Sequence, residues 1–107
     1  MSENNDHSIS KEEFEQLLQK AENGDAEAQN RLGLCYANGN GVSEDKAEAV
    51  KWFRRAAKQG YAEAQNRLGF CYDKGIGVSE DEEKAAKWYR KAAKQGYAEA
   101  QFNLGVC

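Results

Sequence analysis

With 107 residues the chain has the length of one small domain, and its 40% apolar and 31% charged residues suit a folded protein with a well-solvated surface. The net charge of −3 argues against nucleic acid as a partner, because phosphate binding needs a concentrated basic surface. No apolar run approaches the roughly 18–20 residues that a membrane span needs, so membrane insertion is not expected. The chain has no proline and is rich in Ala, Glu, Lys and Gln, which favours helix before any pattern is read.

Residues 1–9 are expected to form a disordered tail. Met1 to Asp6 is polar and acidic, with neither the basic nor the apolar region of a secretory signal. The single histidine, His7, falls in this tail, where no group has fixed geometry with it, so no catalytic or metal role is expected for it. The acidic excess is a property of residues 1–23, which carry six acids and two bases, whereas the rest of the chain is nearly neutral.

Residues 10–23 read as an amino-terminal capping helix. Ser10 and Glu13 have the spacing of a capping box. Phe14, Leu17, Leu18 and Ala21 then fall at i, i+3, i+4 and i+7, one apolar face to cover the first repeat.

From Gly24 the sequence repeats. Gly24-Asp25-Ala26-Glu27-Ala28-Gln29-Asn30-Arg31-Leu32-Gly33 returns as Gly60 to Gly69 and again as Gly96 to Gly105, a period of 36 residues. Blocks 24–59 and 60–95 agree at 25 of 36 positions, too many for chance. Each block predicts two helices. Helix A covers about Ala26–Ala37 and Ala62–Asp73, with Ala28, Leu32, Cys35 and Tyr36 on one face. Helix B covers about Lys46–Gln59 and Glu82–Gln95. Its Ala49, Trp52, Phe53 and Ala56 recur as Ala85, Trp88, Tyr89 and Ala92. Asp45 and Asp81 are candidate N-caps. Acids gather at the start of helix B and bases towards its end, which complements the helix dipole, and Glu83 with Lys87 adds an i, i+4 pair. Gly60 and Gly96 are placed to close helix B. Gly33, Gly69 and Gly105 fall inside helix A, where glycine costs about 1 kcal/mol relative to alanine. Their recurrence predicts a close approach of helix B, with Trp52 or Trp88 nearby. Residues 96–107 read as the first helix of an incomplete third repeat.

Three stretches carry a family resemblance. They are Leu32-Gly33-Leu34-Cys35-Tyr36, then Gly39-Asn40-Gly41-Val42, then Ala49 to Gly60, each with its counterpart 36 residues on. The sequence resembles the Sel-one-like repeats, relatives of the tetratricopeptide repeats, over residues 24–107. That resemblance implies an all-α fold, a right-handed α/α superhelix of stacked antiparallel helix pairs. It implies a concave surface that holds a peptide or partner protein, and adaptor or scaffold roles. A cysteine-rich branch of the family pairs cysteines between helices A and B, and some of its members are linked to β-lactams. This sequence departs from that branch, with one cysteine per repeat.

Cys35, Cys71 and Cys107 lack the clustered spacing of a metal site. Equivalent positions on stacked repeats stand about 9–10 Å apart, beyond the roughly 7 Å Cα separation that a disulfide spans. Buried core thiols are expected at the first two, with Cys107 terminal. No nucleophile–base pair or carboxylate dyad is visible, and Gly39-Asn40-Gly41 lacks the Lys and Ser/Thr of a phosphate loop. Neither cofactor nor metal is expected. Unpaired cysteines point to a reducing compartment and hence a cytoplasmic location.

The candidate partner-binding face is the side of helix A turned away from helix B. Asn30, Arg31, Leu34 and Asn38 there line up with Asn66, Arg67, Phe70 and Lys74 as an exposed Asn/Arg ladder. The alternative for Leu34, Phe70 and Val106 is packing between repeats. Phe102, Leu104 and Val106 form an apolar edge on the half repeat, where solenoids carry a polar cap. Three explanations compete for that edge: a longer parent chain, which is preferred because the sequence stops mid-motif, a homodimer, or a partner that completes the stack. The expected function is a non-catalytic protein-interaction module. The alternatives are self-association through that edge and, behind both, a hydrolase acting on a β-lactam.

Overall fold

The computed structural model describes residues 9–106, with side chains as far as Asn103. His7 and Cys107 therefore lie outside the described residues, as do the side chains of Leu104 and Val106. Among the described residues six helices follow one another: α1 (Lys11–Glu22), α2 (Ala26–Asn38), α3 (Lys46–Lys58), α4 (Ala62–Lys74), α5 (Glu82–Lys94) and α6 (Ala98–Val106). Each packs on the next in chain order, and the stack is elongated, 44 × 26 × 24 Å. This is an all-α solenoid of helix pairs, and the ends of α2, α3, α4 and α5 fall within one residue of their predicted places.

Local chemistry sets those ends. The capping box of α1 is complete: Glu13 N–H donates to Ser10 Oγ at 3.1 Å, and Ser10 N–H donates to Glu13 Oε1 at 2.8 Å. Asp45 and Asp81 accept from the N–H groups of Glu48 and Lys84 at 3.0 and 3.1 Å, as read from the sequence. Asp25 caps α2 in the same way at 2.9 Å, whereas Tyr61 stands at that place before α4 and makes no side-chain cap. Gly60 and Gly96 leave α3 and α5 at φ +92° and +85°. The i, i+4 pair of Glu83 with Lys87 is not among the ion pairs of the described residues. Lys87 lies instead over the Trp88 ring, with its Nζ 5.7 Å from the centroid.

The apolar faces meet in two clusters. In the first, α1 sets Ala21, Phe14, Leu17 and Leu18 against Ala28, Leu32 and Trp52. In the second, Val50, Phe53 and Ala57 of α3 join Ala64, Leu68 and Tyr72 of α4 and Ala85 and Tyr89 of α5. Two expectations need correction here. The residue that fills the space left by the helix A glycines is not tryptophan. A Cβ on Gly33 would stand 2.6 Å from the Phe53 ring, and one on Gly69 2.8 Å from the Tyr89 ring. Trp52 and Trp88 point one residue's rotation away. Trp52 is buried among α1 and α2, and Trp88 is half-buried.

The second correction concerns Ile9, assigned from sequence to the disordered tail. Its N–H donates to Asn40 Oδ1 at 2.8 Å, and its side chain fills the space beside Gly41. In the next repeat the equivalent glycine, Gly77, presses on Lys46 and Val50 of α3. Ile9 and α1 thus meet the first A–B loop as α3 meets the second.

A ladder of glutamines stitches the stack. Gln29 donates to Ala21 O at 3.0 Å, and Gln59 donates to both Gln29 Oε1 and Gly24 O at 2.9 Å. One period later Gln65 donates to Ala57 O at 3.1 Å, and Gln95 donates to Gln65 Oε1 and Gly60 O at 2.9 Å. Gln101 continues the series onto Ala93 O at 3.2 Å. Gln29, Gln65 and Gln101 satisfy carbonyls at the end of the preceding helix, and Gln59 and Gln95 reach back to the loop carbonyls that open their own repeats.

Candidate functional site

The A helices stand side by side and leave a groove along their shared face. Its volume is about 700 Å³, and it is lined by α2, α4 and α6 together with Lys46, Phe53 and Ile76. The floor is apolar, formed by Leu34, Ala37, Phe53, Cys71 and Ile76. Phe70 and Phe102 stand in it at 44% and 70% exposure, the exposed large apolar side chains among the described residues. Asn38, Lys46, Arg67, Glu99 and Asn103 supply its polar groups. Arg67 pairs with Glu63 at 3.0 Å, and Lys46 Nζ donates to Ala37 O at 2.7 Å. The groove therefore combines a greasy centre with hydrogen-bonding edges and little net charge.

A second, more polar cleft of about 540 Å³ lies between α1 and α2, lined by Glu13, Lys20, Arg31 and Asn40. Leu34 and Asn38 border both spaces. Of the eight residues expected to bind a partner, Leu34, Asn38, Asn66, Arg67 and Phe70 line the larger groove. Arg31 lies in the second cleft, and Asn30 and Lys74 line neither.

The expected exposed asparagine ladder is not found. Asn30 and Asn66 are only 2% and 7% exposed. Both sit where one helix A meets the next, and Asn66 Oδ1 accepts from Asn103 Nδ2 at 3.0 Å. One repeat earlier the same step is Asn30 with Arg67, and there Asn30 Oδ1 and Arg67 Nε are both buried without a partner. Asn66 is thus a residue of the repeat interface, and Asn30 holds the same place one repeat earlier. Phe102 takes the asparagine position in the third copy.

The two described thiols are shielded. Cys35 and Cys71 are free and buried. Burial raises both thiols, that of Cys71 to about 11, which disfavours the reactive thiolate. Among the described residues no three His, Cys, Asp or Glu side chains are grouped to hold a metal ion.

The Sel1 repeat family matches at residues 26–61, 62–97 and 98–107. The chain belongs to the Sel1 repeat family. A curated relative, the secretory immunoglobulin A-binding protein EsiB of Escherichia coli, is 54% identical over 43 residues, which is 40% of this chain and 9% of that protein. The crystal structure of c5321, a protective antigen of uropathogenic Escherichia coli strains with an SLR fold, superposes with a TM-score of 0.84 at 52% identity. That match covers 87% of this chain and 20% of c5321. A Sel1 repeat protein from Oxalobacter formigenes gives 0.86 at 40% identity over 90% of this chain and 40% of its own. The cysteine-rich protein B of Helicobacter pylori gives 0.83 at 27% identity over 92% and 73%. The chain therefore spans a small part of the first relatives it matches.

Within this Sel1 repeat chain the groove residues that sequence reasoning missed are Ala37, Lys46, Phe53, Ile76, Ala98, Glu99 and Asn103. A signal for several of them exists. The two full repeats agree through the core but differ at Leu34/Phe70, Asn38/Lys74, Asn40/Ile76 and Lys46/Glu82, and a residue from each of those pairs lines the groove.

Proposed function

We propose that the chain is a non-catalytic protein-binding module that holds a segment of a partner protein in the groove across α2, α4 and α6. Sel1 repeat proteins generally serve protein interaction. The observation that carries the reading here is the exposure of Phe70 and Phe102 in an apolar groove edged by Asn38, Arg67 and Asn103. Partly exposed aromatic anchors with a hydrogen-bonding rim are the composition of a binding hot spot. The name of the Escherichia coli relative supplies a first partner to try, secretory immunoglobulin A. In surface plasmon resonance against that ligand, Phe70→Ser is expected to weaken binding about 30-fold, as an anchor worth 2 kcal/mol does. Because Phe70 is exposed, the helical circular dichroism should not change. Unchanged affinity in both Phe70→Ser and Arg67→Ala would remove the groove as the binding face.

A second reading rests on Phe102 alone. At 70% exposure it makes α6 an adhesive edge that a second copy can cover. Light scattering should then show mass rising with concentration in the wild type and a steady monomer mass in Phe102→Glu. A concentration-independent monomer in the wild type would leave only partner binding.

A further inference from the structure

The faces of α3 and α5 directed away from the groove carry a charge pattern that groove binding does not use. Lys51, Arg54, Arg55 and Lys58 are spaced i, i+3, i+4 and i+7, and Lys87, Arg90, Lys91 and Lys94 repeat them 36 residues later. At about 100° per residue each set forms one stripe, centred roughly 150° round the helix from Phe53 or Tyr89. Phe53 lines the groove, so the α3 stripe faces the opposite way, and on α5 the stripe lies opposite Tyr89, which packs on Gly69 of α4. Seven of the eight cations are exposed, and Arg54 is half-buried.

The stripe is little neutralised. Its ion pair among the described residues is Lys51 with Glu48 at 3.7 Å. Glu82 and Glu83 stand at the start of α5, before the stripe begins. Several of the cations are also held in place. Arg54 Nη2 donates to the Tyr72 hydroxyl at 2.8 Å, Arg55 lies 4.4 Å over the Trp52 ring, and Lys87 and Lys91 both lie over Trp88. The stripe ends at α1, where Glu15, Gln19 and Glu22 stand one period before Lys51, Arg55 and Lys58. A chain of net charge −3 thus gathers eight cations on one side.

What such a surface binds follows from what it lacks. It presents no exposed large apolar side chain, whereas a protein interface buries an apolar centre. Its tryptophan rings are buried or half-buried with cations over them, whereas single-stranded nucleic acid is held by free stacking faces. A plane of closely spaced phosphates asks for neither. We propose that α3 and α5 dock the protein peripherally on an anionic lipid surface, leaving the groove open on the far side. The docking is electrostatic, without insertion, and each cation near such a surface strengthens it about fivefold.

Vesicle co-sedimentation tests this with the whole chain. Vesicles of phosphatidylcholine alone are compared with an equimolar mixture of phosphatidylcholine and phosphatidylglycerol. The protein should pellet with the mixed vesicles only, and should be released near 0.5 M salt, where the screening length falls to about 4 Å. The triple variant Lys58→Gln, Arg90→Gln, Lys94→Gln should bind about a hundredfold more weakly. Circular dichroism confirms its fold, and Lys20→Gln on α1 should bind as the wild type does. Equal binding to both vesicles, absence from the mixed vesicles, or a triple variant that binds like the wild type would overturn the proposal. So would displacement by inorganic phosphate matched to the lipid phosphate, which would mean a site for the free ion, or preferred binding to duplex DNA.

Discussion

Alanine at Gly77 is expected to lower the melting temperature further than alanine at any other loop glycine of the chain. Gly77 has φ +73°, and a Cβ there would press on the carbonyl oxygen of Lys46, stand 2.7 Å from its carbonyl carbon and 2.9 Å from Val50 Cγ2. The left-handed backbone alone costs an alanine about 1–2 kcal/mol. The contact adds more, because a carbonyl in the first turn of α3 cannot rotate away as a side chain does. Together they amount to about 3–5 kcal/mol, in the range kept for named structural faults. At roughly 4–8 °C per kcal/mol for a chain near this size, the melt should fall by at least 12 °C. The loop that carries Gly77 is where the second repeat rests on the first, and in a solenoid such neighbour contacts make up much of the stability.

Two further glycines separate strain from contact. Gly60 has φ +92° with nothing within 4 Å of a Cβ, so Gly60→Ala should show the strain alone. Gly41 meets side-chain atoms, Ile9 Cγ1 at 2.8 Å and Phe14 Cδ1 at 3.4 Å, which can give way. The expected order of melting temperatures is Gly60→Ala highest, Gly41→Ala between, and Gly77→Ala lowest. If Gly60→Ala and Gly77→Ala melt together, the contact with Lys46 has no energetic weight.

The helices were legible from sequence because each rule that places them is local. Trp52 and Phe53 with Ala49 and Ala56 mark a helical face whatever lies opposite, and Ser10, Asp45 and Asp81 cap whichever helix begins after them. What was not legible depends on a neighbour. Asn30 and Asn66 fall on the side of helix A turned away from helix B, which the pattern of a single helix pair leaves exposed. Their burial follows from the next helix A, which reaches Asn66 through Asn103. The glutamine ladder was equally hidden, because glutamine on a helix ordinarily means solvent and nothing local marks Gln65 as a bridge from Ala57 to Gln95. Adjacent Trp52 and Phe53 differ by about 100° around α3, and only the packing of α3 on α2 decides which of them faces Gly33. In the groove, Leu34, Arg67 and Phe70 were found through the repeat register. Lys46 and Ile76 enter it from a helix start and a loop, whose approach no periodicity encodes.

The pairing of Gly69 with Tyr89 predicts a change of sign. Tyr89 is fully buried, and its hydroxyl donates to Asp73 Oδ2 at 3.4 Å. Truncating a buried aromatic of this size to alanine costs about 3–5 kcal/mol, and Tyr89→Ala should lose that much in urea melts. Gly69→Ala is the sharper probe. Inside a helix, alanine should gain about 1 kcal/mol over glycine. Here the new methyl group would stand 2.8 and 2.9 Å from two Tyr89 ring carbons and 3.2 Å from Ala85 O. Overpacking of a filled core costs about 1–3 kcal/mol, and with the ring enclosed on every side the upper part of that range applies. The expected result is a net loss of about 1–2 kcal/mol in the wild-type background. In the Tyr89→Ala background the ring is gone and the helix preference remains, so the same substitution should stabilise. A coupling of about 2 kcal/mol between the two sites is the measurable quantity, within the range seen for residues in contact. Equal losses in both backgrounds would mean that the ring is not why glycine stands there.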